Sequence, residues 1–233
     1  MKAMILAAGR GQRLKPLTDT CPKPLLSIGN DSLLSRHIKQ LKNSGISEIV
    51  INHAWLGQKI EEALGDGSQF GVSITYSPEG ELGLETAGGI KKALPMLGDE
   101  PFLVINGDIL TDFNFKKAFN IKQELIKKHI MAHLWLISYP VSHHPTGDYS
   151  ISSENYLIEK AYPSYTFSGI AVYHPDFFVT VPEKTPYKLA SLFHQYIPEK
   201  MVQAELFPGL WLDVGTIDRL NHAKQIIQNR KLQ

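Results

Sequence analysis

The chain holds a single cysteine, Cys21, which excludes an internal disulfide framework and a cysteine-rich zinc module. It has no run of about 18 apolar residues, so no segment reads as a membrane-spanning helix. Neither sign of charge is in excess, since 24 Lys and Arg face 23 Asp and Glu for a formal charge of +1. A general nucleic-acid or membrane-surface binder carries a basic excess, and none is present. Internal repeats and low-complexity tracts are missing too. The opening Met1-Lys2-Ala3-Met4-Ile5-Leu6-Ala7-Ala8-Gly9 begins like a secretory leader but turns to Gly, Arg and Lys too early for a complete apolar segment. A soluble cytoplasmic protein is the expectation. What is present is 233 residues, 43% of them hydrophobic and 20% charged. That is enough for one large domain whose core needs no metal or disulfide staple.

Short apolar runs alternate with longer amphipathic ones through the first half. Residues 3–8 read as a buried strand broken at Gly9 and Gly11, with further strands at 48–52, 72–76 and 102–105. Helical spacing covers 33–41, capped by Asp31 or Ser32 and ended by Gly45, then 55–64 and 86–97. Such alternation builds a parallel sheet with helices on both faces, and near-continuous apolar strands agree with burial on both sides. The expected class is α/β, a single doubly wound, mostly parallel sheet of Rossmann-like form. After about residue 129 the texture changes. Strands at 130–137 and 168–173, a turn-rich stretch from Pro140 to Pro163, and helices at 188–196 and 217–230 make a mixed α+β second half. The expectation is one domain, 1–233, with halves at 1–128 and 129–233.

The first strand delivers the chain into Gly9-Arg10-Gly11-Gln12-Arg13-Leu14. In a doubly wound sheet, ligands sit beyond the carboxyl ends of the strands, and glycines there let backbone N–H groups approach an anion. The glycines alone match neither a Walker A loop nor a dinucleotide fingerprint, and a plain turn is an equal reading. Pro22-Lys23-Pro24 then presents a lysine between two residues of fixed φ, a stiff exposed loop suited to a polyphosphate.

The joint pattern from Leu6 to Thr18, followed by Pro22-Lys23-Pro24-Leu25, closely resembles the signature of sugar-1-phosphate nucleotidyltransferases. The resemblance implies that Ala8, Gly9, Gly11, Gln12, Arg13 and Lys23 bind the nucleoside triphosphate. Ser77-Pro78-Glu79-Gly80 and Leu84-Glu85-Thr86-Ala87-Gly88-Gly89 resemble the base-recognition loop and the helix after it, so Glu79, Gly80, Glu85 and Thr86 join the nucleotide site. Asn106-Gly107-Asp108 and Trp211-Leu212-Asp213-Val214-Gly215-Thr216 resemble the two elements whose carboxylates hold magnesium, here Asp108 and Asp213. Asn106, Gly147, Asp148, Glu159 and Gly169 fall where relatives contact the sugar phosphate. Arg13, Lys23, Asp108 and Asp213 become the catalytic set, with Mg2+ as cofactor and UTP and a sugar 1-phosphate as substrates.

Either aspartate alone is as readily a turn or cap residue as a metal ligand. Nothing local requires Asp108 and Asp213 to meet, so a shared cation is the expected reason for their meeting. Among the histidines, His129 and His133 lie four apart but on strand-like sequence, and His143-His144 are adjacent, so no zinc site is expected. Cys21 reads as a loop filler and Trp211 as packing. Ile51-Asn52-His53-Ala54-Trp55-Leu56-Gly57, Tyr76-Ser77-Pro78-Glu79-Gly80 and Glu85-Thr86-Ala87-Gly88-Gly89 look most like bacterial N-acetylmuramate α-1-phosphate uridylyltransferases, which recycle cell-wall sugar. The chain differs from that group at Gly83 and across 138–164. Mannose-1-phosphate guanylyltransferases share the Glu-Thr-Ala-Gly core and are the competing resemblance. A non-catalytic nucleotide-sugar-binding module is the reading from a different class.

Overall fold

The computed structural model describes residues 1–80, 83–138 and 146–230. His143 and His144 lie outside the described residues. In chain order the elements begin β1 (Ala3–Leu6), α1 (Leu17–Thr20), β2 (Ser27–Ile28), β3 (Asp31–Ser32), α2 (Leu33–Asn43), β4 (Glu48–His53), α3 (Gly57–Leu64) and β5 (Ser73–Pro78). There follow α4 (Glu85–Leu97), β6 (Phe102–Asn106), β7 (Ile109–Thr111), α5 (Lys117–Lys128) and β8 (Ala132–Ile137). The remainder holds β9 (Ser150–Ile151), β10 (Leu157–Ile158), β11 (Thr166–Tyr173), α6 (Leu189–Tyr196), β12 (Val202–Leu206), β13 (Trp211–Asp213) and α7 (Ile217–Arg230). The class is α/β as expected, with helices between the strands of a mostly parallel sheet.

Two compact units form, neither a continuous stretch of chain. An N-terminal unit comprises Lys2–Gly83, Asn106–Asn114 and Leu210–Gln233, and a central unit comprises Leu84–Ile105 and Phe115–Gly209 with Met1. In the N-terminal unit, β1, β4 and β5 pair in parallel, with Ala3 opposite Ile49 and Ile49 opposite Ile74. The connection through α2 starts at a reciprocal cap. Ser32 Oγ accepts from Ser35 N–H at 3.1 Å, and Ser35 Oγ accepts from Ser32 N–H at 2.9 Å. Leu33, Leu34, Ile38 and Leu41 then face inward at helical spacing. A second layer of this core joins three distant stretches: Leu14 and Ile28, then Leu110, then Val214, Leu220 and Ile227. The short antiparallel ladder between β7 and β13 fixes the last of these. Half-buried Cys21 packs against the same cluster, and burial pushes its thiol up, as suits a filler.

In the central unit β11 runs antiparallel to β6 and β8, while β12 runs parallel to β8. Its core is aromatic, with Tyr173 and Phe177 ring centres 5.2 Å apart and Phe177 and Tyr196 4.9 Å apart. The pattern reading assigns nothing to α5 or β12. In α5, Ala118, Ile121 and Leu125 keep helical spacing among many polar residues, and β12 buries only Val202 and Ala204.

Two buried histidines give the fold a pH dependence. His37 on α2 is pushed down to about 4 chiefly by burial, against the opposing pull of the Ile109 backbone and Asp108. Burial also takes His133 on β8 down to about 4, opposed by Glu205 and Glu124. The unfolded chain protonates near 6.5, so the stability from neutral burial is complete above that pH and is lost as pH falls towards 4. Urea midpoints between pH 7 and pH 4 should fall, and less steeply for His37→Gln and His133→Gln. Midpoints that fall equally in all three proteins would remove the histidines as the cause.

Candidate active site

The loop after β1 is the scaffold of the site. Gly11 sits at φ +66, a left-handed conformation, and a Cβ there would lie 2.9 Å from Thr18 Cγ2 and 3.0 Å from Lys23 Cβ. Thr18 Oγ1 donates to the Gly11 carbonyl at 2.8 Å, and Trp55 Nε1 donates to the Thr18 carbonyl at 3.0 Å. The Arg10 guanidinium lies over the Trp55 ring, 4.3 Å from its centre. The loop is therefore braced from α1 and from the turn before α3. Gln12 and Arg13 begin a short 3-10 turn, both exposed, and Ala8 and Gly9 lead into it.

Lys23 corrects one expectation. It opens the 3-10 turn Lys23–Leu25 and is 8% exposed, not displayed on an open loop. Its ammonium is ion-paired with Asp108, whose side chain is 33% exposed. Burial follows from the close approach of its stem to Gly11 and from the carboxylate waiting at the end of that stem.

Asp108 follows β6 in the turn Asn106-Gly107-Asp108. Gly107 N–H donates to the Leu6 carbonyl at 2.8 Å, and a Cβ at Gly107 would lie 2.7 Å from that oxygen, so glycine is required for the approach. Asp213 ends β13, opposite Ile109, and Val214 N–H donates to the Asp108 carbonyl at 2.8 Å. Backbone pairing thus carries both aspartates to one ladder, and the expectation that only a shared cation would bring them together is overturned. Asp213 is ion-paired with Arg219 on α7. Around Gly215 a Cβ would lie 2.5 Å from Arg219 Nη2, 2.9 Å from Asp213 Oδ2 and 3.0 Å from Arg13 Nη2. Arg13, Lys23, Asp108 and Asp213 therefore belong to one constellation within the N-terminal unit.

Glu79 is reached through a residue the sequence reading did not single out. Asn52, 3% exposed at the end of β4, accepts from Ala7 N–H at 2.9 Å and donates to the Glu79 carboxylate at 2.6 Å. Gly80 follows at φ +78. The available signal for Asn52 was a polar residue at the carboxyl end of an apolar strand. Arg219 was missed as well, because an arginine in the first turn of an amphipathic helix reads as a solvated face.

Of the remaining expected site residues, all but Asn106 lie in the central unit. Glu85 opens α4 at φ +57, and the Tyr187 carbonyl accepts from Ala87 N–H at 2.9 Å, one residue after Thr86. Gly147 is at φ +60, and Asp148 Oδ2 accepts from Phe167 N–H at 2.8 Å. The Glu159 carboxylate lies 2.8 Å from His194 Nδ1, and Gly169 sits where the β11–β8 register shifts. Asn106 adjoins Asp108 in the N-terminal unit.

Residues 2–147 match the family model described as nucleotidyl transferase. The chain belongs to the nucleotidyl transferase family. Among its relatives is an N-acetylmuramate alpha-1-phosphate uridylyltransferase of Neisseria meningitidis serogroup B, 50% identical over 228 residues, 97% of this chain and 98% of that one. A mannose-1-phosphate guanyltransferase of Kluyveromyces lactis is 40% identical over 126 residues, 53% of this chain but 35% of its own length. A Bacillus anthracis structure described as a glucose-1-phosphate thymidylyltransferase in complex with sucrose superposes with a TM-score of 0.83 at 24% identity, covering 97% of this chain and 94% of that one. A UDP-glucose pyrophosphorylase complexed with UDP-glucose gives 0.76 at 20% identity, covering 98% of each chain. These two likenesses show the nucleotidyl transferase fold. No helix among the described residues is long and apolar enough to cross a membrane.

Proposed function

We propose that the protein transfers a uridylyl group from UTP to N-acetylmuramate 1-phosphate, releasing pyrophosphate and forming UDP-N-acetylmuramate in the cytoplasm for cell-wall sugar recycling. The observation that carries this choice is the near-full-length similarity to the Neisseria uridylyltransferase. The geometry supports the reaction class. Arg13 and Lys23 converge with Asp108 and Asp213 beside a glycine loop, an arrangement suited to holding phosphates in register for displacement. In this proposal one domain, 1–233, does both jobs. Residues 1–128 supply the nucleotide side, and 129–233 supply the sugar side together with Asp213.

The sugar-phosphate oxygen attacks the α-phosphorus in line with departing pyrophosphate. A phosphate monoester has a second pKa near about 6, so the nucleophile is already an anion and no general base is needed. Arg13 and Lys23 hold the phosphates of UTP and meet the charge that grows on the leaving pyrophosphate. Two hard carboxylates on one ladder, with coordination left for phosphate oxygens and water, fit magnesium. Magnesium, when bound, would neutralise charge on the reacting phosphates. Asn106, Gly147, Asp148, Glu159 and Gly169 are proposed to take the sugar phosphate, and Ala8, Gly9, Gly11, Gln12, Gly80, Glu85 and Thr86 the nucleotide.

Glu79 gives base selection a physical basis. A carboxylate oriented by Asn52 accepts a hydrogen bond from the imino N–H of uracil or guanine, and repels the ring-nitrogen lone pair of cytosine or adenine. Across UTP, dTTP, GTP, CTP and ATP, kcat/KM should be highest for UTP and lowest for CTP and ATP. The similarity of about half of the chain to a mannose-1-phosphate guanyltransferase supports a second reading, and GTP exceeding UTP in the same grid would select it. No pyrophosphate release with any pair of substrates would leave a binding module.

A further inference from the structure

Arg219 makes three hydrogen bonds and leaves one nitrogen over. Its backbone N–H and its Nε both donate to Thr216 Oγ1, at 3.4 and 3.3 Å, and Nη1 is paired with Asp213 Oδ1. Nη2 is buried, and among the described residues nothing accepts from it. An N–H withdrawn from water without an acceptor is destabilising, and more so on a charged group. The same nitrogen points to the place where a Gly215 side chain would sit, within 3.0 Å of which Arg13 Nη2 also lies. Two guanidinium groups thus face one point with a single carboxylate between them. Counting Lys23, three cations meet two carboxylates, Asp108 and Asp213, and the excess is positive. Like charges held this close call for an anion, and the planar fork of arginine matches phosphate oxygens.

We propose that Arg219 is a phosphate-binding residue. Asp213 and Thr216 anchor one side of its guanidinium, and Nη2 is presented, with Arg13, to a phosphoryl oxygen. The inference rests on the proposed reaction, whose substrates offer two sources of that oxygen, the pyrophosphate portion of UTP and the sugar 1-phosphate. Gly215 is the enabling residue, because any side chain would fill the space in which the two guanidinium groups meet.

The test is calorimetric titration of wild type and Arg219→Lys with pyrophosphate and with N-acetylmuramate 1-phosphate, each with magnesium and in EDTA. Lysine keeps the charge beside Asp213 but has no second forked nitrogen. Affinity for one of the two anions should fall about 10- to 100-fold, the range for a charge-assisted hydrogen bond, in both buffers. The anion affected identifies the source. Undiminished affinity for both anions overturns the proposal, and so does a loss seen only with magnesium, which would make Arg219 a positioning residue for Asp213. Wild type that binds neither anion would overturn the proposed reaction along with it. If Arg219→Lys melts early, nitrogen NMR of arginine side chains in wild type replaces it. A guanidinium signal of Arg219 that pyrophosphate and the sugar phosphate both leave unmoved overturns the proposal.

Discussion

Lys23→Ala is expected to lower kcat/KM for UTP and N-acetylmuramate 1-phosphate by about a hundred- to a thousand-fold, the effect of removing one preorganised charge contact of roughly 2.7–4 kcal/mol. The buried position of the lysine makes a stability control necessary. Its ammonium pairs with Asp108, and its stem fills the space beside Gly11, so truncation removes packing as well as charge. Asp108 is a third exposed, and the carboxylate left behind is solvated by water, so the fold should survive with a modest drop in Tm. Lys23→Met separates the two contributions, because it keeps most of the stem and discards only the charge. It should melt close to wild type and turn over as slowly as Lys23→Ala. A folded Lys23→Met within about threefold of wild type would remove Lys23 from the phosphate site.

The second large effect concerns the carboxylates. Asp108→Asn and Asp213→Asn should each lose most turnover and require far more magnesium, since the amide keeps shape and hydrogen bonding but lacks the charge that holds a hard cation. The double mutant should be little worse than either single one, because groups that serve one ion act as a unit. The ladder between β7 and β13 brings the two positions together whatever occupies them, so both variants should fold. Their melting temperatures should nevertheless differ. Asp213→Asn leaves the Arg219 side chain, 12% exposed, beside Arg13 without a counter-charge, whereas Asp108→Asn leaves only Lys23 to be reconciled. The greater Tm loss is expected for Asp213→Asn. Magnesium titrations of activity for the three variants decide the matter, and a single mutant with unchanged rate and magnesium dependence is a turn residue.

The legible parts of the sequence were those in which a local signal matched the final environment. The run from Ala3 to Leu6 stops abruptly at glycines, and the strand and its loop lie where that break puts them. The Ser32 cap and the apolar stripe behind it likewise announce α2. The ladder of β7 and β13 was not legible, because strands of three residues carry almost no periodicity and their partner lies a hundred positions away. The depth of Lys23 was hidden for a related reason. Two prolines describe the stiffness of the chain around it but not the carboxylate, 85 residues later, that meets its ammonium. Asn52 and Arg219 reach Glu79 and Asp213 through side-chain pairing, and pairing of that kind leaves no pattern in a linear sequence.

The discontinuity of the N-terminal unit has a consequence for how the protein comes off the ribosome. Synthesis runs at about 5–20 residues per second, and the glycine loop emerges early. The residues that cover Leu14 and Ile28, namely Val214, Leu220 and Ile227, come only after 115–209 have been made. During that interval the nascent chain carries an uncovered apolar face, a natural target for holding chaperones, while most of the central unit already has its own strands. The stretch that finally seals this face is also the one that brings Asp213 and Arg219. Ribosome-bound chains stopped before residue 210 therefore possess Lys23 and Asp108 but lack Asp213 and Arg219, so the core of the N-terminal unit and its pair of aspartates are completed by the same late stretch.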